Sequence, residues 1–173
     1  MLSKKGVVWV STVLYILISL AVLSIVLVSV QPMINKSRDK AVLLQSENML
    51  KEIDSTIMEV SDNEGTILNS DVKISRGNLI INSSGDKVMF ELKDSGYQYG
   101  EENKLVKIGK IYSLTTKISG KWQVLMYIDY SGTYNLTYAG SESSKTLNEG
   151  EYILAFENRN VSARQINLFV RTG

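Results

Sequence analysis

From Val7 to Val30 the chain runs for 24 residues without an Asp, Glu, Lys or Arg. As an α-helix that run rises about 36 Å, enough to cross a hydrocarbon core of about 30 Å with modest tilt. Helix is the conformation that suits it, because in lipid every backbone group must find its partner within the segment. Its polar residues, Ser11, Thr12, Ser19, Ser24 and Ser29, carry hydroxyls able to bond back to the preceding turn. Trp9 and Tyr15 stand near its start, where amphipathic rings favour the membrane interface. A cleaved secretory signal has a shorter apolar region that ends in small residues. This run leaves instead through Gln31-Pro32-Met33-Ile34, so the segment is expected to stay with the mature chain. Flanking charge does not set its orientation, since Lys4 and Lys5 precede it and Lys36, Arg38 and Lys40 follow it. The short N-terminal flank and the large polar C-terminal part favour the latter lying outside.

Composition matters mainly for what it excludes. Beyond residue 30, 143 residues hold 17 Lys and Arg against 18 Asp and Glu, so no clustered basic excess exists for phosphate and no nucleic-acid partner is expected. The absence of Cys excludes disulfides, thiolate nucleophiles and cysteine metal sites. The absence of His removes the usual general base near neutral pH and the commonest transition-metal ligand. No enzyme, cofactor or metal is expected.

From Met33 the pattern becomes that of an amphipathic helix. Val42, Met49, Ile53, Ile57 and Val60 recur at helical spacings, with Leu43, Leu44, Leu50 and Met58 widening the stripe. Lys36, Arg38, Asp39, Lys40, Glu47, Lys51, Glu52 and Glu59 occupy most of the remaining surface. Pro32 is placed to kink the helix, and Asp62-Asn63-Glu64-Gly65 to end it. A lone anchor needs no such stripe. A helix greasy all round at one end and one-sided at the other suits a subunit whose first half is buried by copies of itself and whose second half covers a globular head.

Strand signals take over from Thr66. Val72–Ile74, Leu79–Asn82, Val88–Leu92, Leu105–Ile118, Trp122–Asp129, Thr133–Tyr138, Tyr152–Asn158 and Gln165–Arg171 are β-favouring runs, with Ser83–Lys87 and Ser119-Gly120-Lys121 as hairpin turns. In Trp122, Val124, Met126 and Ile128 against Gln123, Leu125, Tyr127 and Asp129, two faces alternate. The expected fold class is α+β: a long N-terminal α-helix followed by an antiparallel, sandwich-like β head packed on its stripe.

Few residues suggest chemistry. Four sequons place possible N-glycosylation at Asn35, Asn82, Asn135 and Asn160, with Asn82 and Asn160 in expected turns. The acidic groups Asp62–Glu64, Glu101-Glu102 and Glu149 with Glu151 lack the spacing of a calcium loop and read as solvated turns. No carboxylate pair is singled out for glycoside cleavage. Tyr97, Tyr99, Tyr127, Tyr130, Tyr134 and Tyr138 offer either a sugar-binding face or ordinary half-buried strand positions.

Lys4-Lys5-Gly6, directly before the apolar run, resembles the class III signal peptide of archaeal type IV pilins and archaellins. The resemblance implies a prepilin peptidase cutting after Gly6, with Lys4, Lys5, Gly6 and Val7 forming the processing site. It implies residues 1–6 as leader, 7–32 as the transmembrane and filament-core helix, 33–62 as its amphipathic continuation and 63–173 as the β-rich head. Val7, Trp9, Ser11, Leu14, Ile18, Ala21, Ile25, Val28 and Pro32 would then lie in the core of a helical homopolymer. The implied partners are further copies of the chain, the peptidase, the membrane assembly machinery and, before assembly, the membrane itself. The implied location is a membrane-anchored precursor followed by a cell-surface filament serving contact or adhesion. Many type IV pilins carry a glutamate at the fifth mature position, where this chain has Ser11; archaeal members often lack it, and a minor pilin is the other reading within the family. Outside the family, the alternatives are a signal-anchored protein with a β-rich binding domain and a tethered carboxylate hydrolase.

Overall fold

The structure is a computed structural model that describes residues 4–160, 162 and 164–171, with backbone alone described at 4–8 and 160. Among the described residues its elements are one α-helix, α1 (Lys4–Ser61), a 3-10 turn at Ser83–Gly85 and ten strands. The strands are β1 (Ile67–Ile74), β2 (Asn78–Asn82), β3 (Lys87–Ser95), β4 (Leu105–Ile108), β5 (Ile111–Ile118), β6 (Lys121–Asp129), β7 (Asn135–Tyr138), β8 (Lys145–Leu147), β9 (Gly150–Asn160) and β10 (Gln165–Arg171). The class is α+β, with α1 packed on antiparallel-rich sheets. Two compact units divide the chain, Met1–Arg38 and Asp39–Gly173.

In the first unit α1 continues through Pro32, which does not end it. The second unit holds the rest of α1 and both sheets. One sheet has four strands in the order β1-β9-β10-β7, the other six in the order β4-β5-β6-β3-β2-β8. All pairings are antiparallel except β10 with β7, which run parallel with Gln165 opposite Asn135.

The face that α1 buries in this unit follows a seven-residue repeat. Asp39, Leu43, Ser46, Leu50, Ile53, Ile57 and Val60 are buried, at alternating steps of four and three, and Met49 joins them. The centre of the stripe therefore runs through Leu43 and Leu50. Leu44 and Met58, expected on it, are each 46% exposed. The inner faces of the sheets meet this stripe in one apolar cluster, with Val72, Leu154 and Phe156 from the smaller sheet and Leu79, Phe90 and Met126 from the larger. Alternation along β6 is as read from sequence: Val124, Met126 and Ile128 are buried, while Gln123, Leu125 and Tyr127 are half-buried on the other face.

Two stretches differ from the sequence expectation. Leu105–Ile118 is a hairpin rather than one strand, because Gly109 takes φ 62° and lets the two-residue loop Gly109-Lys110 close between Ile108 and Ile111. β8 was not foreseen; it has a single apolar residue, Leu147, and exists through its pairing with Leu79–Ile81 of β2. At Gly77, φ is 92° and an added Cβ would lie 2.6 Å from the Glu91 carbonyl oxygen, so the turn into β2 requires glycine.

Candidate functional site

The apolar segment of the first unit is the most unusual surface of the chain. Every residue from Trp9 to Val30 is exposed, among them Trp9 at 74% and Val28 at 75%. The resemblance-derived positions Trp9, Ser11, Leu14, Ile18, Ala21, Ile25 and Val28 belong to this exposed set, and Pro32 just beyond it is exposed as well. Ser19, Ser24 and Ser29 donate to the carbonyls of Tyr15, Leu20 and Ile25 at 2.8, 2.8 and 2.9 Å. Those hydroxyls are thus satisfied inside the helix and are compatible with an apolar surrounding. The side chains of Lys4, Lys5 and Val7, and the surroundings of Gly6, lie outside the described residues; the backbone there is helical.

In the second unit four acids of α1, Asp39, Glu47, Glu52 and Asp54, are engaged by groups from the β region, while Glu59 is exposed. Asp39, only 3% exposed, accepts from the Arg76 guanidinium and, at 2.7 Å, from the Gly96 N–H. Glu47 accepts from Lys51 and from the Tyr99 hydroxyl, each at 2.6 Å. Glu52 accepts from Ser70 at 3.1 Å. Asp54 accepts from Tyr130 at 3.2 Å and pairs with Lys110 at 2.9 Å. The Lys51 ammonium, and after it the Tyr99 phenol, hold the Glu47 carboxyl below its usual value. Burial, reinforced by Glu47, pushes the Tyr99 phenol well above the ordinary tyrosine range. Burial, reinforced by the Asp54 charge, does the same to Tyr130. These four acids therefore fasten the helix and are not displayed for chemistry.

At its C-terminus α1 is capped from far away in sequence. Buried Asn158 donates through Nδ2 to the carbonyls of Val60 at 3.1 Å and Ser61 at 3.0 Å, two of the four that a helix end leaves open. Its own carbonyl accepts from the Gly65 N–H at 2.9 Å.

The sequons fall in different surroundings. Asn35 is exposed on α1 in the first unit. Asn82, half-buried, accepts from Ser84 at 2.9 Å and from Ser144 at 3.2 Å. Asn135 is exposed at the start of β7, but the Thr137 hydroxyl of its sequon is buried and donates to Asn167 at 3.2 Å. Asn160 ends β9; its side chain and Val161 lie outside the described residues. All three head sequons nevertheless reach one groove of about 340 Å³, through Ser84, Asn135 and Ser162. Nothing in the linear sequence signals that convergence.

The tyrosines do not share a face. Tyr97, Tyr99, Tyr134 and Tyr138 pack against the core and Tyr130 is buried within it, whereas Tyr127 stacks on Tyr112 with ring centroids 5.2 Å apart. The acidic residues Asp62, Glu64, Glu101, Glu102, Glu149 and Glu151 are exposed, Glu151 on β9 beside Lys73 rather than in a turn, and among the described residues no group of three or more acids is placed to hold a metal ion. Comparison with protein-family models, with curated proteins and with solved structures gives no match.

Proposed function

We propose that this chain is a pilin-like structural subunit of an extracellular filament of the archaeal type IV class, stored in the membrane and assembled through its N-terminal helix. The observation that carries the reading is the exposure, on all sides, of the whole apolar run from Trp9 to Val30. Each Val, Leu or Ile buried there contributes about 1.5–3 kcal/mol relative to water, so the segment must be covered by lipid or by copies of itself. A satisfied backbone and self-bonded serines make both covers acceptable. The half of α1 that begins at Asp39 has another task, since its apolar stripe and four of its acids are committed to the β region. The β-rich unit would then form the outer surface and make contact with other cells or surfaces, without catalysis.

The N-terminus of the mature surface protein tests this directly. Intact-mass analysis should find a chain beginning at Val7, and electron microscopy should find helical filaments. Gly6→Arg should leave the precursor uncut and the cell without filaments. Surface protein that keeps Lys4-Lys5-Gly6 and forms no filaments would instead identify a signal-anchored protein with a β-rich binding domain.

A further inference from the structure

We propose that the groove ringed by the 3-10 turn Ser83–Gly85, the β6–β7 loop, the β7–β8 loop, and Ser162 and Arg164 binds a neutral saccharide. It lies within the second unit, and the inference goes beyond assembly: it holds whether or not the chain polymerises. The groove measures about 340 Å³, at the small end of the range of about 300–1,000 Å³ typical of ligand pockets, which suits one or two sugar rings. Its walls are almost wholly polar. Ser83, Asp86, Tyr134, Asn135, Glu142 and Arg164 present hydroxyl, carboxylate, amide and guanidinium groups, the mixture of donors and acceptors that adjacent sugar hydroxyls need. Tyr134 supplies an aromatic surface and is anchored, its hydroxyl 3.0 Å from Ser61 Oγ.

The walls are also held in place. The Leu136 N–H donates to Asp86 Oδ1 at 2.8 Å, the Asn135 N–H to the Arg164 carbonyl at 3.0 Å, and the Tyr130 N–H to the Asp86 carbonyl at 2.8 Å. Asp86 and Arg164 both adopt left-handed backbone conformations, with φ 48° and 49°. Ser83 adds an unusual feature, for its hydroxyl is buried and has no hydrogen-bond partner although the residue lines the groove. A buried hydroxyl without a partner is unfavourable, and rotation of the Ser83 side chain towards the groove would give it a ligand hydroxyl as partner. Charge narrows the class. Two carboxylates, Asp86 and Glu142, outnumber the single Arg164, so phosphate, sulfate or a uronic acid would meet net repulsion.

Two sources share this chemistry: a saccharide on another surface, and the chain's own glycan on Asn135, which lines the groove. The test uses the full chain in lipid nanodiscs, avoiding glycoside detergents, made in one host without N-glycosylation and in one with it. The probes are glucose, galactose, mannose, N-acetylglucosamine and their β-linked disaccharides, followed by saturation-transfer NMR and titration calorimetry. At least one probe should bind saturably. Glu142→Gln, at an exposed residue, and Ser83→Ala, which keeps the Asn82 sequon intact, should each weaken binding about tenfold, the effect of one lost hydrogen bond to a strong partner. The thermal midpoint of Ser83→Ala should be unchanged or raised. Binding by both preparations assigns the groove to an external saccharide, and binding by the unglycosylated one alone assigns it to the chain's own glycan. No binding by either, binding indifferent to both substitutions, or tighter binding of glucuronate than of glucose would overturn the proposal.

Discussion

Asn158 offers the sharpest test of how the β region holds α1. Its Nδ2 is the donor to two carbonyls at the helix end, Val60 at 3.1 Å and Ser61 at 3.0 Å, and the residue is buried. Replacing it by Leu keeps much of the volume but strands the Ser61 carbonyl and leaves the Val60 carbonyl with only the longer bond from the Asn63 N–H at 3.4 Å. A buried group left without its partner costs about 1–3 kcal/mol. Against that, Asn158 Oδ1 has no partner of its own, and its removal offsets part of the loss. The net destabilisation should be about 1–3 kcal/mol. For a unit the size of Asp39–Gly173 that corresponds to a fall in thermal midpoint of about 4–12 °C. Asn158→Asp has nearly the same shape and should be worse at pH 7, because a carboxylate would face two carbonyls beside the negative end of the helix dipole. The folded-state pKa of that aspartate would be raised above the unfolded value of about 3.9, so its penalty grows as pH rises through that value and is smallest below it. The assay is near-ultraviolet circular dichroism of the full chain in nanodiscs, heated at pH 7 and at pH 3.5. A midpoint for Asn158→Leu within about 2 °C of the parent, a change of about 0.5 kcal/mol, would refute the capping argument. So would equal midpoints for the Leu and Asp variants at pH 7.

Three other outcomes follow from the same unit. Leu43→Ala should cost about 2–5 kcal/mol in urea denaturation, while Leu44→Ala should stay within about 0.5 kcal/mol; similar values for the two would place the helix stripe wrongly. Arg76→Ala leaves buried Asp39 with only the Gly96 N–H and should cost about 3–5 kcal/mol, more than Asp39→Ala, which leaves a guanidinium able to reach water; the reverse order would count against the pairing. Tyr99→Phe should cost about 1–2 kcal/mol at pH 7. Because the Glu47 pKa is depressed in the folded chain, its share of stability is present above the unfolded value of about 4.3 and is lost as pH falls through the folded value, so the cost of Tyr99→Phe should shrink between pH 6 and pH 3.

Much of the fold is legible in sequence because it is periodic. The charge-free run announces itself by length, and most strands by alternation and turn residues. The stripe on α1 is legible in kind but shifted in phase, and the reason is specific. Two of its seven buried repeat positions, Asp39 and Ser46, are polar, so a reading that follows apolar residues alone drifts towards Leu44 and Met58. Asp39 is tolerable inside because Arg76 and Gly96 reach it, and Ser46 because its hydroxyl bonds the Val42 carbonyl at 2.9 Å. The Asp39 partnership has no local signature, and the Ser46 bond, though local, does not tell which face of the helix is buried. β8 escaped notice for a similar reason, since three residues with one apolar side chain become a strand only when β2 lies alongside.

The groove shows the same limit more strongly, and it bears on how the chain is read. Ser83 and Asp86, Tyr134, Glu142 and Arg164 come from four loops, and Asn135 from the first position of β7, with no periodicity to link them. What sequence does show is that three sequons lie in this half of the chain; what the fold adds is that they meet. Thr137 then separates them in kind. Its hydroxyl is buried against Asn167, so Asn135 can be modified only before β7 docks, whereas the Ser84 and Ser162 hydroxyls of the other two sequons remain exposed afterwards. A glycan found on Asn135 would therefore have been attached before the head finished folding. In the filament reading, that would place its addition ahead of assembly.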